Sequence, residues 1–475
     1  MHKKNYFFQI LFIFLSCSSR IFAQQKILSV EDYYTLVKNN HPVSKQASLL
    51  TNIASSQNMN ARGALDPYLY GYYDNKTFDK KNYYDGVETG IKLPTYYGID
   101  FKAGYQTASG KYLNPEEITP TGGLAFAGVS VPLGQGLLID KRRAAIQQAQ
   151  FLKNINDAEK IDVINNLLFD ALVVYYEWQL AKNQVDILEQ FLTLQTVRFE
   201  GVKNNFKFGE QPEIDTVETL IQLQTIQMSL LKTKVEFTNK SLELSTYLWD
   251  TNNLPITLSE NTIPTNLDSL TILNNMENSA KINIENVVEN HPNIVEYKYK
   301  ILQYNIDRKL YTDKLKPKLN VNYNFLSSAV NLNTSQLNSY YLSNNYKVGI
   351  EFAMPLFLRA ERSNIAFAKL KIKNAELGLS QKQFVLKNKI QAYQNEYNNL
   401  ILQLNIFNKT VANYKRMLTA EFSKFDIGES SVFLVNSREN KLIEAQQKLC
   451  ELKMKIQKTE AALNWAKAKL PNGLR

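Results

Sequence analysis

The sequence predicts an α+β protein in which one structural unit occurs twice, each copy combining a long helical hairpin with antiparallel strands. Three observations support this. A Phe-x-x-Gly-Glu motif separates two long helical segments at Phe206–Glu210 and again at Phe425–Glu429. Short sequence matches recur between the two halves at fixed offsets. Segments of strictly alternating apolar and polar residues precede each long helical segment, as strands do.

The two motifs have the composition of helix ends. Gly209 and Gly428 can adopt the left-handed conformation that terminates a helix. Pro212 and Glu429 suit the first turn of the helix that follows, where proline and carboxylates are favourable. We therefore predict that each motif is the tip of a helical hairpin. The glycines are separated by 428 − 209 = 219 residues.

The repeat is visible at two offsets. Asn40–Pro42 matches Asn290–Pro292 at an offset of 250, and Arg143 matches Arg362 at the offset of 219 that relates the tips. These matches predict a division of the chain into three parts: a signal peptide at 1–23, a first repeat at 24–250, and a second repeat at 251–475 with a junction near 251–285.

The long segments carry apolar residues at alternating spacings of three and four, which is typical of coiled coils. In the first repeat the stripe from Ile161 to Leu192 is followed on the return segment by Ile214, Val217, Ile221, Met228, Leu231, Val235 and Leu242. In the second repeat the stripes run from Ile390 to Leu418 and from Val435 to Leu463. We expect each return stripe to pack on the preceding one. Extra apolar positions indicate helix contacts on two sides.

The predicted strands of the second repeat have one apolar, aromatic face and one polar face. The apolar positions are Leu319, Val321, Tyr323, Val348, Ile350 and Phe352. Such alternation is typical of a transmembrane barrel with lipid outside and water inside, although a half-buried sheet shows it too. The many tyrosines of the first repeat favour the membrane. An additional alternating pair at 87–105 either enlarges a barrel or forms an external hairpin.

The N-terminus predicts export. Lys3 and Lys4 precede the apolar run Phe7–Leu15, and Ala23 fits a signal-peptidase site. A competing interpretation makes Cys17 a lipidation site. The only other cysteine is Cys450, so no internal disulfide is expected in the mature chain.

No enzymatic or nucleic-acid signature is present. The net charge of +10 comes from lysines scattered over the helical segments, which indicates solvated faces and no nucleic-acid partner. His41 and His291 precede prolines and are interpreted as turn residues. The sequence has no zinc spacing, nucleophile–base pair or cofactor motif, so we expect neither catalysis nor a cofactor.

Together, the signal peptide, the duplicated plan and the Phe-x-x-Gly tips resemble the TolC-type outer-membrane channel family. The resemblance covers nearly the whole mature chain and implies a homotrimer in the outer membrane that extends into the periplasm. In that family the strands of three copies form one transmembrane antiparallel β-barrel in lipid, and the helical hairpins form a trimeric α-barrel tunnel. The expected function is a passive exit channel of a tripartite efflux or type I secretion system. The expected partners are a periplasmic adaptor (membrane fusion) protein and an inner-membrane transporter.

The resemblance also implies a periplasmic gate at the tips. Asp215 occupies the position of a latch aspartate, Phe425 that of its aromatic partner and Ser430 that of a latch arginine, while Leu434 and Ser437 replace two constriction aspartates. A phenylalanine cannot donate the hydroxyl hydrogen bond of a tyrosine, and Ser430 cannot form a salt bridge. We therefore expect apolar packing of Phe425 and Leu434 to close the tunnel.

The resemblance assigns adaptor contact to the tip residues Phe208, Gly209, Ile427 and Gly428. Two alternatives stay open at this stage. One is a periplasmic coiled-coil adaptor, which usually has a single hairpin per chain. The other is a structural envelope protein, which would need no polar lumen.

Overall fold

The computed structural model describes residues 26–259, 261–266, 283–328 and 344–473. The predicted signal peptide, Cys17, residues 267–282 of the junction and residues 329–343 lie outside this description. The described chain divides into two compact units. One draws on Met1–Ala47, Ile161–Val287 and Leu386–Arg475, and the other is formed by Ser48–Lys160 and Val288–Val385.

Helices dominate the described chain. They are α1 (Val30–Asn40), α2 (Pro42–Gly63), α3 (Lys141–Lys207), α4 (Glu213–Ser245), α5 (Ile284–Glu289), α6 (Pro292–Asp313), α7 (Arg359–Asp426) and α8 (Val432–Ala466). The two longest helices, α3 and α7, have 67 and 68 residues. None of the described helices has an apolar stretch long enough to cross a membrane.

The histidines before proline act as helix caps. The Nδ1 atom of His41 accepts a hydrogen bond from the Val43 backbone N–H at 3.2 Å. The repeat-related His291 accepts one from the Asn293 N–H at 3.3 Å. Each histidine thereby satisfies one of the free N–H groups at the start of a helix. This role fits the interpretation of both residues as turn residues.

Three of the four predicted apolar stripes are largely buried within the chain. The stripe of α3 includes the fully buried Trp178, whose indole N–H donates to Ser241 Oγ of α4 at 2.8 Å. The stripes of α7 and α8 meet in a cluster that contains Tyr397, Leu400 and Ile456.

The fourth stripe differs from the prediction. All seven of its residues on α4, from Ile214 to Leu242, are exposed in the single chain. Helix α4 instead buries a second set that includes Leu223, Ile226 and Leu230. The expectation that the stripe packs on α3 is wrong within one chain because α4 has two apolar faces, and heptad spacing alone does not say which one faces α3.

The strands of the described residues form two sheets. A short parallel pair joins β1 (Lys26–Leu28) to β6 (Thr262–Pro264). The larger sheet is antiparallel and has the order β2-β3-β4-β5-β7-β8. Its strands are β2 (Tyr68–Phe78), β3 (Lys81–Pro94), β4 (Asp100–Ser109), β5 (Leu124–Pro132), β7 (Lys318–Ser327) and β8 (Tyr346–Ala353).

The additional alternating segment of the first repeat belongs to this sheet. It forms most of β3 and β4, which pair with each other. Strand β3 also pairs with β2, and β4 with β5, all through antiparallel ladders. The alternative that the segment folds as a separate external hairpin is therefore excluded.

Candidate functional site

Both hairpin tips use the same backbone hydrogen bonds. At the first tip the Gly209 N–H donates to the Phe206 carbonyl at 2.9 Å, and the Glu210 N–H donates to the Asn205 carbonyl at 2.9 Å. At the second tip the N–H groups of Gly428 and Glu429 bond in the same way, at 3.0 and 2.8 Å. This is the Schellman arrangement, which requires a left-handed residue after the helix. Gly209 and Gly428 supply it with φ angles of +77° and +79°.

The tip glycines serve backbone conformation and not close packing, because a Cβ at Gly428 would have no heavy atom within 4 Å. We expect Gly428→Ala to lower the free energy of unfolding by about 1–2 kcal/mol, the usual cost of a left-handed L-residue. The measurement is the midpoint of chemical unfolding. Gly201→Ala is the matched control, since Gly201 has equally open surroundings but lies within α3. It should be neutral or stabilising. Equal losses in both variants would contradict this account.

Apolar side chains project from both tips. Phe208 is 80% exposed and Ile427 is 70% exposed. Phe433, one residue into the first turn of α8, is also exposed. Large apolar residues at this exposure on the end of a hairpin indicate a contact surface.

The structure separates the predicted gate residues into different environments. Phe425 is partly buried against the core cluster that contains Val185 and Val435. Leu434 is exposed and Ser437 is half-buried. Phe425 and Leu434 therefore do not share one apolar cluster among the described residues.

The polar positions of the predicted latch also lie apart. Ser430 donates its hydroxyl to Glu421 Oε1 at 2.6 Å, and the other oxygen of Glu421 is 3.5 Å from Arg438 Nε. The hydrogen bond from Ser430 lowers the pKa of Glu421. The half-buried Asp215 carboxylate makes no hydrogen bond or ion pair with any residue described by the structure. The second tip thus has its own arginine, eight residues after Ser430.

A buried ion pair lies beneath the tips. Arg198 of α3 binds both carboxylate oxygens of Glu439 of α8, at 2.6 and 2.9 Å. The Arg198 side chain is 10% exposed and that of Glu439 is 1% exposed. Each residue is 11 positions from its tip glycine, or about 16 Å along the helix. A bidentate pair of this kind fixes both the distance and the orientation of the two helices.

The ion pair belongs to a network that reaches all four long helices of its unit. Arg198 also bonds Gln195 at 2.8 Å, and Gln195 Nε2 donates to the Thr219 carbonyl of α4 at 3.1 Å. The Arg198 guanidinium lies over the ring of Phe422 of α7, 4.9 Å from its centroid. Relative motion of any of the four helices would disturb at least one of these contacts.

Sequence reasoning missed this network, although the repeat contains a signal for it. At the offset of 219, Arg198 corresponds to Met417 and Glu439 corresponds to Leu220. The first hairpin therefore has a positive charge, and the second a negative charge, where the other repeat has an apolar residue. Such a paired departure from an otherwise apolar pattern could have identified the ion pair.

A second charged cluster lines a cleft of about 790 Å³ in the same unit. Glu177 accepts hydrogen bonds from Lys240 at 2.7 Å and from Lys458 at 3.0 Å. Burial alone would raise the pKa of Glu177, but the two ammonium groups lower it below its usual value. The cluster links α3, α4 and α8. Across the described ranges, no group of three or more His, Cys, Asp or Glu residues could hold a metal ion.

The predicted lipid-facing residues share one face of the large sheet. They form directly paired positions on β7 and β8: Leu319 with Phe352, Val321 with Ile350 and Tyr323 with Val348. The same face continues across the other strands and forms an apolar groove that includes Ile91, Phe101 and Val129. The opposite face carries polar residues, such as Asn322, and glycines.

Comparison with known proteins gives both a family match and fold matches. Residues 283–466 match the family model described as outer membrane efflux protein. No curated protein matches the chain in sequence.

Several solved structures share the fold at low sequence identity. The CmeC outer membrane channel of Campylobacter jejuni is 13% identical, with a TM-score of 0.63 over 92% of this chain and 85% of that one. The outer membrane protein VceC of Vibrio cholerae is 12% identical, with a TM-score of 0.62 and coverages of 93% and 96%. The open state of the MtrE outer membrane channel of Neisseria gonorrhoeae is 13% identical, with a TM-score of 0.65 and coverages of 94% and 90%.

The fold is that of the TolC-type outer-membrane channels, with long helical hairpins and an antiparallel sheet. Residues 283–466 are in addition similar to the family described as outer membrane efflux protein. The resemblance predicted from the duplicated motifs is thereby confirmed.

Proposed function

We propose that this protein is an outer-membrane exit channel of a tripartite efflux or type I secretion system. Three copies would enclose a continuous aqueous path through which cargo moves passively. The chain would have no catalytic role, and an inner-membrane transporter would supply the energy.

The observation that carries this proposal is the chemistry of the six-stranded sheet. One face presents paired apolar residues that are exposed in the single chain, including Ile350 and Phe352, and the other presents asparagines and glycines. A sheet of a water-soluble protein would cover such an apolar face with helices or a second sheet. Lipid on one side and water on the other satisfies both faces of this sheet.

Self-association of the helices supports the same proposal. The exposed stripe of α4 extends from Ile214 to Leu242 with coiled-coil spacing and lacks a partner among the described residues of the chain. A long apolar stripe with this regular spacing is expected to pack against another helix. In a closed trimer each copy would supply that helix to its neighbour.

The tips would form the gate and the docking surface. The exposed Phe208 and Ile427 suit contact with a periplasmic adaptor. Gly209 and Gly428 would belong to the same contact surface, since their left-handed backbone forms the turns that present these side chains. The network around Arg198 and Glu439 would hold the four helices in the closed arrangement. Gating would proceed by movement of the hairpins, with Asp215, Phe425, Ser430, Leu434 and Ser437 placed where the constriction forms.

Membrane location and oligomeric mass test the function directly. The full-length protein is expressed in a bacterium with two membranes, the membranes are separated, and the detergent-extracted protein is sized by light scattering. The expected result is a protein of the outer-membrane fraction with three times the mass of one chain. A soluble or inner-membrane-bound monomer would overturn the proposal and favour a coiled-coil adaptor.

The charge at Leu434 tests the gate. Leu434 is exposed and lies in the first turn of α8, where an aspartate is compatible with the helix dipole. We expect Leu434→Asp to raise the open probability of single channels several-fold, because three like charges would meet where apolar side chains met before. Phe433→Asp is the matched control, since it adds the same charge about 100° around the helix. Unchanged conductance and open probability in Leu434→Asp would exclude a constriction at this residue.

A further inference from the structure

The outer edges of the six-stranded sheet are open within the described chain. Strands β2 and β8 are at its two ends, and no described strand pairs with their outer sides. Unpaired backbone groups at a sheet edge are costly in lipid, so these edges need a partner. Since all six strands are antiparallel, β2 and β8 run in opposite directions. The β2 strand of a second copy can therefore continue the antiparallel order next to β8.

We propose that β2 of each copy pairs with β8 of the next, so that three copies close an eighteen-stranded barrel. This inference rests on the proposed trimeric channel and goes beyond it, because it assigns the contact edges and the strand number. The partner at each edge is a second copy of this chain.

The stagger of the sheet supports ring closure. A row of directly paired residues begins at Tyr68, the first residue of β2, and reaches β8 at Lys347. Strand β8 continues to Ala353, which is 353 − 347 = 6 residues further toward the end where β2 begins. Suppose that Ala353 at the end of β8 lies opposite Tyr68 at the start of β2 in the next copy. The strand register then shifts by six residues per copy, over six strand spacings: five within the copy and one at the joint.

That stagger corresponds to a definite strand tilt. Six residues extend about 20 Å along a strand, and six spacings measure about 29 Å across the sheet. The ratio gives a tilt of about 35°, which lies in the range of about 35–45° found in transmembrane barrels. An open sheet has no reason to match this value, whereas a barrel of copies requires it.

The same register matches the chemistry of the joint. With Tyr68 opposite Ala353, the apolar residues of both edges fall opposite each other, Leu69 against Phe352 and Tyr73 against Val348. Leu69 is 79% exposed in the single chain. The joint would thus continue the apolar face at these two pairs.

The glycines indicate which face is inside. A Cβ at Gly104 would lie 2.4 Å from the Thr89 carbonyl oxygen, and one at Gly128 would lie 2.5 Å from that of Tyr323. At these positions of the polar face the neighbouring backbone leaves no room for a Cβ, as is expected where a sheet curls toward that face. The polar face would line the lumen.

The strands β3 and β4 set the width of this barrel. Pro67 and Pro317, which are related by the repeat offset of 250, directly precede β2 and β7, so these two strands correspond in the repeat. The Pro-Leu pairs that begin at Pro132 and Pro355 lie at the ends of β5 and β8, so these two strands correspond as well. The segment β3–β4 is thus an insertion between two repeat-related strands. Eighteen tilted strands give a backbone diameter of about 35 Å, against about 23 Å for the twelve that would remain without the insertion.

Disulfide cross-linking tests the joint. In a background with Cys450→Ala, the pair Tyr73→Cys and Val348→Cys is oxidised in isolated outer membranes of cells that express the full-length chain. The expected product is a covalent ladder of dimers and trimers. Pairing Val348→Cys with Tyr105→Cys on the central strand β4 is the control, and it should give no ladder. The variants Ile350→Cys and Phe352→Cys, each used in place of Val348→Cys, detect a joint whose β2–β8 register is shifted by two or four residues.

Electron microscopy provides the second measurement. End-on views of the purified wild-type trimer should show a barrel about 35 Å across the backbone. A trimer without cross-links in any register, or with a barrel near 23 Å, would overturn this inference while leaving the channel proposal intact. A protein that is not a membrane trimer would overturn both.

Discussion

Replacing Glu439 with alanine is expected to lower the free energy of unfolding by about 3–5 kcal/mol, the cost of breaking a buried ion pair by removing one partner. The loss is large because the Arg198 guanidinium remains buried beneath the tips with both of its hydrogen bonds to a charged partner unmade. Gln195 and Asn436 retain contact with it but carry no charge. The measurement is chemical unfolding of the purified protein in detergent.

The repeat supplies the matched control. Because Met417 and Leu220 occupy the repeat-related positions, the double variant Arg198→Met with Glu439→Leu replaces the ion pair by the apolar residues that the other arms use. Removing both charges avoids an unpaired buried group, so most of the lost stability should return. A double variant as unstable as Glu439→Ala would show that packing volume, and not charge, dominates at this site.

The same variants separate stability from gating. If the network holds the four helices in the closed arrangement, the double variant should be stable and still show a higher open probability than the wild type. Apolar side chains permit sliding that a bidentate ion pair resists. A stable double variant with unchanged gating would restrict the role of the ion pair to folding.

The fold could be predicted from the sequence where local chemistry determines it. The tip glycines require a left-handed backbone whatever surrounds them, and strand alternation fixes which residues share a face. The α4 stripe from Ile214 to Leu242 was assigned to the wrong neighbour because periodicity identifies an apolar face but not its partner. Whether β3 and β4 join the sheet depends on backbone pairing over distance, which alternation alone cannot show.

The candidate gate was less predictable than the fold. The gate positions Asp215 and Ser430 were inferred by resemblance to a family. The ion pairs near the tips are not part of that resemblance and were not predicted. Arg438 pairs with Glu421, and Arg198 pairs with Glu439, 241 residues away. Such partners are decided by tertiary packing. Within one helical segment a buried arginine has the same pattern as a solvated one. Only the comparison of the two repeats, with Met417 and Leu220 at the corresponding positions, distinguishes Arg198 and Glu439.

The substitution Val321→Arg is expected to prevent stable insertion into the outer membrane. Val321 pairs directly with Ile350, in the middle of β8, on the apolar face. An arginine facing lipid near the middle of the bilayer costs about 2–4 kcal/mol per chain, and three copies would each bear that cost. The measurement is the fraction of protein recovered in the outer membrane after extraction with urea.

The adjacent variant Asn322→Arg separates lipid exposure from damage to the strand. Asn322 lies on the opposite face, where its paired neighbours Ser130 and Gly349 are small and leave room for a longer side chain. In a channel this arginine would enter the aqueous lumen, so insertion should persist while anion passage rises relative to cation passage. If the sheet were instead a half-buried soluble element, Val321→Arg would cause unfolding in any membrane-free preparation. Equal insertion by both variants would show that the face of Val321 does not contact lipid. The channel proposal would then be overturned, because it rests on the apolar face of this sheet.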